Sequence, residues 1–170
     1  ANGATAIGEA SVAYLSSPDA PRRIKERLPN VRLIAVLRNP IERAFSHYLM
    51  GVRDGWAPPS FEQALRREDE EESRQDVLTP LMHWYKRAGK YATQLRRYLE
   101  VFAPEQIKVY LFDDLVTNPR QVVRDLYEFL GVDPDFTPDF TRRENAYFIP
   151  RFPTLWRWVA NMPYDAVIRR

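Results

Sequence analysis

Residues Val31 to Leu37 form an almost unbroken apolar run, short and rich in β-branched side chains. Such a run predicts a parallel strand covered on both faces, and it reads as the central strand of a sheet. Asn39-Pro40 follows at once, a capping residue and then a proline suited to a first helical position, so a helix is expected from Ile41 to about Arg53. A second apolar stretch, Ile107 to Phe112, predicts a second strand. After it, Asp113-Asp114-Leu115 turns into a helix that opens near Pro119 and closes at Gly131, with Val122, Val123, Leu126, Phe129 and Leu130 on its apolar face.

The remaining pattern fills in around these units. Ala4 to Gly8 is a short strand candidate, and Glu9 to Leu15 reads as an irregular connection. Ser17-Pro18-Asp19 begins a helix carrying Ile24 and Leu28 on one face, which Pro29-Asn30 stops. Ser60 is placed to cap a helix from Phe61 to about Arg67, and the acidic stretch Glu68 to Glu72 reads as a solvated loop or a frayed helix end. A short helix is expected over Leu81 to Lys86. Tyr91, Leu95, Tyr98, Leu99 and Phe102 mark an amphipathic helix from about Lys90 to Phe102, ended by Ala103-Pro104. Asp133 to Pro138 is a loop, and Leu155 to Val159 a short tail helix. Strands alternating with helices indicate an α/β domain with a parallel sheet.

Composition narrows the chemistry. The 170 residues, 45% of them hydrophobic, suffice for one domain with a sizeable core. Twenty-five Lys and Arg against 23 Asp and Glu leave a net charge of +2, so no overall field argues for nucleic acid or an anionic membrane. Any anion site is therefore local. The absence of cysteine removes disulfides, thiolate nucleophiles and Cys-based zinc sites, and two histidines are too few for a His-rich metal centre. No apolar run approaches the roughly 18 residues needed to span a bilayer. The chain reads as a cytoplasmic protein without a metal.

The junction after the first strand carries the chemistry. A strand that ends in Arg38 and passes through Asn39-Pro40 into a helix combines a forked guanidinium with the positive end of a helix dipole. Ser46 lies two turns into that helix, and Asn39, Arg43 and Ser46 share a face by their spacing. On spacing alone, Arg38 and Ser46 read equally well as phosphate ligands or as a sheet-edge ion pair and a small packing residue. Four other groups have chemical potential: the Glu9 carboxylate, the Tyr14 phenol, and the imidazoles of His47 and His83. Their plainer readings are a loop-organising carboxylate, a packed phenol, a surface or partly buried imidazole at His47, and a core or interface aromatic cluster at His83 beside Trp84 and Tyr85. Trp156 and Trp158 read as packing residues of the tail.

The stretch Leu37-Arg38-Asn39-Pro40-Ile41-Glu42-Arg43-Ala44-Phe45-Ser46-His47-Tyr48 resembles the R-N-P-x-x-R-x-x-S-x-Y element of PAPS-dependent sulfotransferases, of the heparan-sulfate type and related bacterial enzymes. The likeness extends to Gly8 through Leu15, Ala20 through Ile24, Gly89-Lys90-Tyr91, Phe102 through Ile107, Asp114-Leu115, Pro119 and Phe129-Leu130-Gly131-Val132, in the family's order. It implies a P-loop-NTPase-like α/β fold with helices flanking a parallel sheet, and a single sulfotransferase domain over residues 1–170. It also implies PAPS as co-substrate, PAP as product, and a carbohydrate or small-molecule acceptor. Carried over, Arg38 and Ser46 hold the 3′-phosphate.

Three departures qualify the likeness. The Gly, Lys, Ser and Thr-rich turn that holds the 5′-phosphosulfate in this family has no counterpart, so the domain is expected to be incomplete at its N-terminus. Ala10 stands where several animal members have lysine. The Lys-Gly pair of the family's late PAPS loop is absent, leaving Arg142 and Arg143 as candidate phosphate ligands, with Arg151 further on. The catalytic base is unassigned. The rival reading is a non-catalytic nucleotide-binding or scaffold remnant of the same fold, while a kinase-like phosphotransferase lacks a Walker A sequence.

Overall fold

The computed structural model describes residues 6–73 and 83–141, which fall into two compact units. The first unit holds residues 6–40 and 87–141, the second residues 41–73 and 83–86.

The first unit is built on β1 (Leu33–Leu37) and β2 (Ile107–Leu111), which pair in parallel from Leu33 opposite Ile107 to Leu37 opposite Leu111. Parallel neighbours require a long crossover, and residues 38–106 supply it. The α/β class expected from the alternating pattern is therefore observed. Gln106 fixes where β2 starts, because its side-chain amide donates to the carbonyls of Pro29 and Val31, each at 3.0 Å, on the approach to β1. Two helices precede β1, α1 (Val12–Ser16) and α2 (Ala20–Arg27). Of the other helices, α3 (Pro40–Asp54) and α4 (Phe61–Ser73) come next in the chain. The first unit then resumes with α5 (Tyr91–Leu99), α6 (Phe112–Thr117) and α7 (Pro119–Leu130).

Polar anchors lock this unit together. Tyr98 is buried on α5 and donates its hydroxyl to the Tyr14 carbonyl of α1 at 2.7 Å. On β2, the Tyr110 hydroxyl and the Lys108 ammonium both reach the Asp125 carboxylate of α7, at 2.7 and 2.8 Å. Gly131 closes α7 in the left-handed conformation at φ 70°, and the Val132 N–H returns to the Tyr127 carbonyl at 3.0 Å.

In the second unit, Ala44 and Tyr48 of α3 pack with Ala64 of α4 and with Tyr85, which is only 2% exposed. Phe61 meets Tyr85 edge to face at 6.2 Å. Ser60 caps α4 as its sequence position indicates, accepting from the Gln63 N–H at 3.2 Å.

Several expectations are corrected. Among the described residues β1 has one hydrogen-bonded neighbour and is not central. It is not covered on both faces either, since Ile34 and Val36 are 41% and 49% exposed while Leu37 on the opposite face is buried. An apolar run reports that both faces are apolar, not that both have neighbours. The presumed irregular stretch after Glu9 contains α1, capped by the Ser11 hydroxyl, which accepts from the Ala13 N–H at 3.3 Å. The acidic stretch is neither loop nor frayed end: α4 runs on to Ser73, and Glu68 is buried there. His83 is in a 3₁₀ conformation, but residues 84–86 are not helical as the expected helix over Leu81 to Lys86 required, because their backbone groups bond to side chains of α3 and α4 instead; a short 3₁₀ turn follows at Arg87–Gly89. The turn expected at Asp113 is the helix α6, and the apolar face of α7 is half-buried rather than buried. The tail helix, residues 81–82 and part of the Ala4 strand candidate lie outside the described residues. No helix among the described residues is long and apolar enough to cross a membrane.

Candidate functional site

The two strands end in register, and the residue after each carries the feature of interest. Leu37 and Leu111 are the last ladder pair, so Arg38 and Phe112 leave the sheet side by side. The Arg38 guanidinium carbon lies over the Phe112 ring, 5.2 Å from its centre. Two residues beyond Arg38 the fifteen-residue helix α3 begins, with the positive end of its dipole at this junction. Gly89 stands against Pro40 there, so closely that a Cβ on Gly89 would come within 3.0 Å of the Pro40 Cβ. That approach explains a glycine in the Gly89-Lys90-Tyr91 segment and fixes the turn that presents Arg38. A partly exposed guanidinium on a ring, at the mouth of a helix, is chemically suited to a phosphate.

Ser46 is exposed on α3. The buried positions of that helix are Ala44, Tyr48 and Gly51, spaced four and three apart, which leaves Ser46 on the outer face. Arg43 has a different task. Its guanidinium donates to the Tyr85 carbonyl, and to the Trp84 carbonyl at 3.5 Å, inside the second unit. Of the set Asn39, Arg43 and Ser46, Arg43 thus organises a loop.

The other candidates resolve as follows. His47 is half-buried between Trp56 and Tyr85, with ring centres at 5.6 and 5.2 Å. Burial, followed by the charge of Arg43, pushes its imidazole below the ordinary histidine range, so it is neutral near pH 7. His83 faces Glu71, with Nδ1 at 3.3 Å from the carboxylate. His47 thus belongs to the aromatic cluster of the second unit, while the described partner of His83 is a carboxylate. The Tyr14 hydroxyl donates to Glu9, at 2.8 and 2.7 Å from its two oxygens, and this bond raises the phenol above its usual range. Arg142, Arg143, Arg151, Trp156 and Trp158 lie outside the described residues. Among the described residues no group of three His, Asp or Glu side chains is arranged to hold a metal ion.

Phe112 was not singled out from the sequence. Its signal lay in the pairing: an aromatic residue directly after the second strand becomes the neighbour of an arginine directly after the first.

A profile described as the sulfotransferase family matches residues 14–138 of the chain. The chain belongs to the sulfotransferase family. Among curated relatives, the human bifunctional heparan sulfate N-deacetylase/N-sulfotransferase 2 is 30% identical over 127 residues, covering 74% of this chain and 14% of that protein. A Caenorhabditis briggsae homologue, N-deacetylase/N-sulfotransferase 1, is 27% identical over 157 residues, covering 88% of this chain and 17% of its own length. The sulfotransferase crystal structure from Alicyclobacillus acidocaldarius superimposes with a TM-score of 0.75 at 42% identity, over 85% of this chain and 58% of that one. The chain therefore spans a small part of these curated relatives and somewhat over half of the solved neighbour. All three are named as sulfotransferases, so the non-catalytic reading gains no support from them.

Proposed function

We propose that this sulfotransferase takes its sulfuryl group from PAPS and passes it to a hydroxyl or amine of a carbohydrate or small molecule. Arg38 and Ser46 are the proposed 3′-phosphate ligands. The observation that carries this reading is the position of Arg38: at the end of β1, directly before α3, with its guanidinium set on the Phe112 ring. The exposure of Ser46 on the outer face of α3 is consistent with its assigned contact. A carbohydrate amine as acceptor is supported by the relatives named for N-sulfotransfer on heparan sulfate. Arg142 and Arg143 are proposed as further phosphate ligands on the strength of their charge and fork.

In the reaction, a lone pair of the acceptor oxygen or nitrogen attacks sulfur in line. The bond from sulfur to the bridging phosphate oxygen breaks, that oxygen leaves on PAP, and the acceptor proton passes to a base. What these side chains supply is positioning and neutralisation of charge on the departing nucleotide. Both units are proposed to serve a single domain over residues 1–170, because the family match from 14 to 138 runs through both. The cysteine-free composition supports a cytoplasmic setting.

The test is thermal unfolding with and without PAP. Binding to the native state raises the melting temperature. A rise in the wild type that is lost in Arg38→Ala is expected; no rise, or the same rise in both, contradicts the reading.

A further inference from the structure

The geometry points to a second binding site, for one acidic sugar unit of a polysaccharide, in the cleft between α7 and the loop from Pro134 to Phe140. The inference rests on the carbohydrate reading of the acceptor for the class of ligand, and places that ligand on residues other than Arg38 and Ser46.

The cleft lies wholly within the first unit. Arg120, Val123 and Arg124 line it from the first two turns of α7, and their spacing of i, i+3, i+4 puts them on one face. The loop opposite is ordered by its own turns. Asp133 accepts from the Asp135 N–H at 3.0 Å, and Asp139 accepts from the N–H and hydroxyl of Thr141 at 2.9 and 2.7 Å. Pro134 and Pro138 restrict the same stretch, so the wall is formed before a ligand arrives. Phe136 is 62% exposed, yet its ring rests against Tyr127 of α7, with ring centres 6.2 Å apart. The free space is about 160 Å³. Pockets for whole small molecules start at roughly 300 Å³, so this one takes a single ring of a larger ligand and is too small for a nucleotide.

The lining selects the kind of ring. Phe136, Pro138 and Phe140 offer flat apolar surface, which suits the C–H face of a sugar. Arg124 is engaged, at 3.3 Å from Glu128 and 3.7 Å from Asp135. Arg120 is exposed in the same cleft and has no ion pair or hydrogen bond among the described residues. Its fork matches a carboxylate or a sulfate. The Asp135 carboxylate, held by Arg124, and the Thr137 hydroxyl are acceptors for ring hydroxyls. A neutral apolar ligand would leave Arg120 unused, whereas an acidic sugar uses both walls.

The test titrates three hexasaccharides into the protein and follows its amide NMR signals: hyaluronan, charged by carboxylates alone; heparin, which adds sulfates; and neutral maltohexaose. The expected result is binding of an acidic chain, with shifts centred on residues 120–124 and 134–140, and no binding of maltohexaose. Arg120→Ala is expected to weaken binding about tenfold, and Phe136→Ala about three- to tenfold. Arg23→Ala, which removes an exposed arginine of α2, is expected to change nothing. Melting temperatures and PAP titrations of all three variants are expected to match the wild type. Binding of hyaluronan assigns the acid as a carboxylate, and binding of heparin alone assigns it as a sulfate. The proposal is overturned by no binding of either acidic chain, by equal binding of maltohexaose, by shifts centred elsewhere, or by unchanged affinity in Arg120→Ala. The same loss in Arg23→Ala would show unspecific charge attraction, and loss in Arg38→Ala would place the sugar at the donor site; either overturns it. A wild type that binds the acidic chain but not PAP sinks the donor reading and leaves the cleft standing, so the two fail separately.

Discussion

The buried carboxylate of Glu68 accepts a hydrogen bond from the backbone N–H of Tyr85 at 3.1 Å, and a second from Lys86 at 2.7 Å. From the other side, Arg43 donates to the carbonyls of Trp84 and Tyr85. The three-residue stretch 84–86 is thus clamped by one cation and one anion, each on a different helix. Glu68, 1% exposed, is the anion. Glu68→Ala leaves one buried and one part-buried donor without this acceptor and is expected to cost about 2–3 kcal/mol. Glu68→Gln, which keeps an acceptor oxygen, is expected to lose less. Urea midpoints of the three proteins check this, and equal midpoints would refute it.

This clamp is also where the sequence said least. Glu68 sits in a run of acidic residues, and nothing local marks it as the one that turns inward; its partners are 17 and 18 positions away. The helix expected over Leu81 to Lys86 does not extend through residues 84–86 for the same reason, since distant side chains take the backbone groups that a helix would use. By contrast, Ser60, Asn39-Pro40 and Gly131 are local signals, and the elements they bound start or stop where those residues indicate. Helix α1 had such a signal in Ser11, but five residues with Val12 turned to solvent show no periodicity. At the candidate site Arg38 was legible from a strand followed directly by a helix. Phe112 was not, because its relation to Arg38 exists only once the parallel register is set.

Gly51 is required by its neighbour. A Cβ there would meet ring carbons of Trp56 at 2.7 and 2.8 Å, and the Gly51 carbonyl accepts from the Trp56 N–H at 3.0 Å. The indole cannot move away without disturbing the turn that holds it. Gly51→Ala is expected to cost about 1–3 kcal/mol and to alter the near-ultraviolet circular dichroism of the tryptophans. An unchanged spectrum and midpoint would show that Trp56 relaxes freely.

His47 makes stability sensitive to acid. Its imidazole is pushed down in the folded state by burial first and by Arg43 second, so protonation favours unfolding. The contribution is complete above the unfolded value of about 6.5 and is lost as pH falls through the lower folded value. Urea midpoints between about pH 7 and pH 5 are expected to fall more steeply in the wild type than in His47→Gln. Parallel curves would contradict the assignment.

Tyr110 acts at the alkaline end. Burial, then the hydrogen bond to Asp125, raises its phenol above the ordinary range, so the folded state resists its ionisation. Its contribution is present below the unfolded value of about 10 and lost as pH rises through the higher folded value. Tyr110→Phe is expected to soften the loss of stability above about pH 10, followed by the urea midpoint. An identical alkaline slope in the variant would argue against this role.

The central claim is that Arg38 reads a 3′-phosphate, and its most direct test compares PAP with AMP, which lacks that group, by calorimetric titration of the wild type and Arg38→Ala. The expected result is that the wild type prefers PAP by about ten- to a hundredfold, the worth of a charged hydrogen-bonded contact, and that Arg38→Ala loses most of this preference. Equal affinity of the wild type for PAP and AMP, or an undiminished preference in Arg38→Ala, would contradict it.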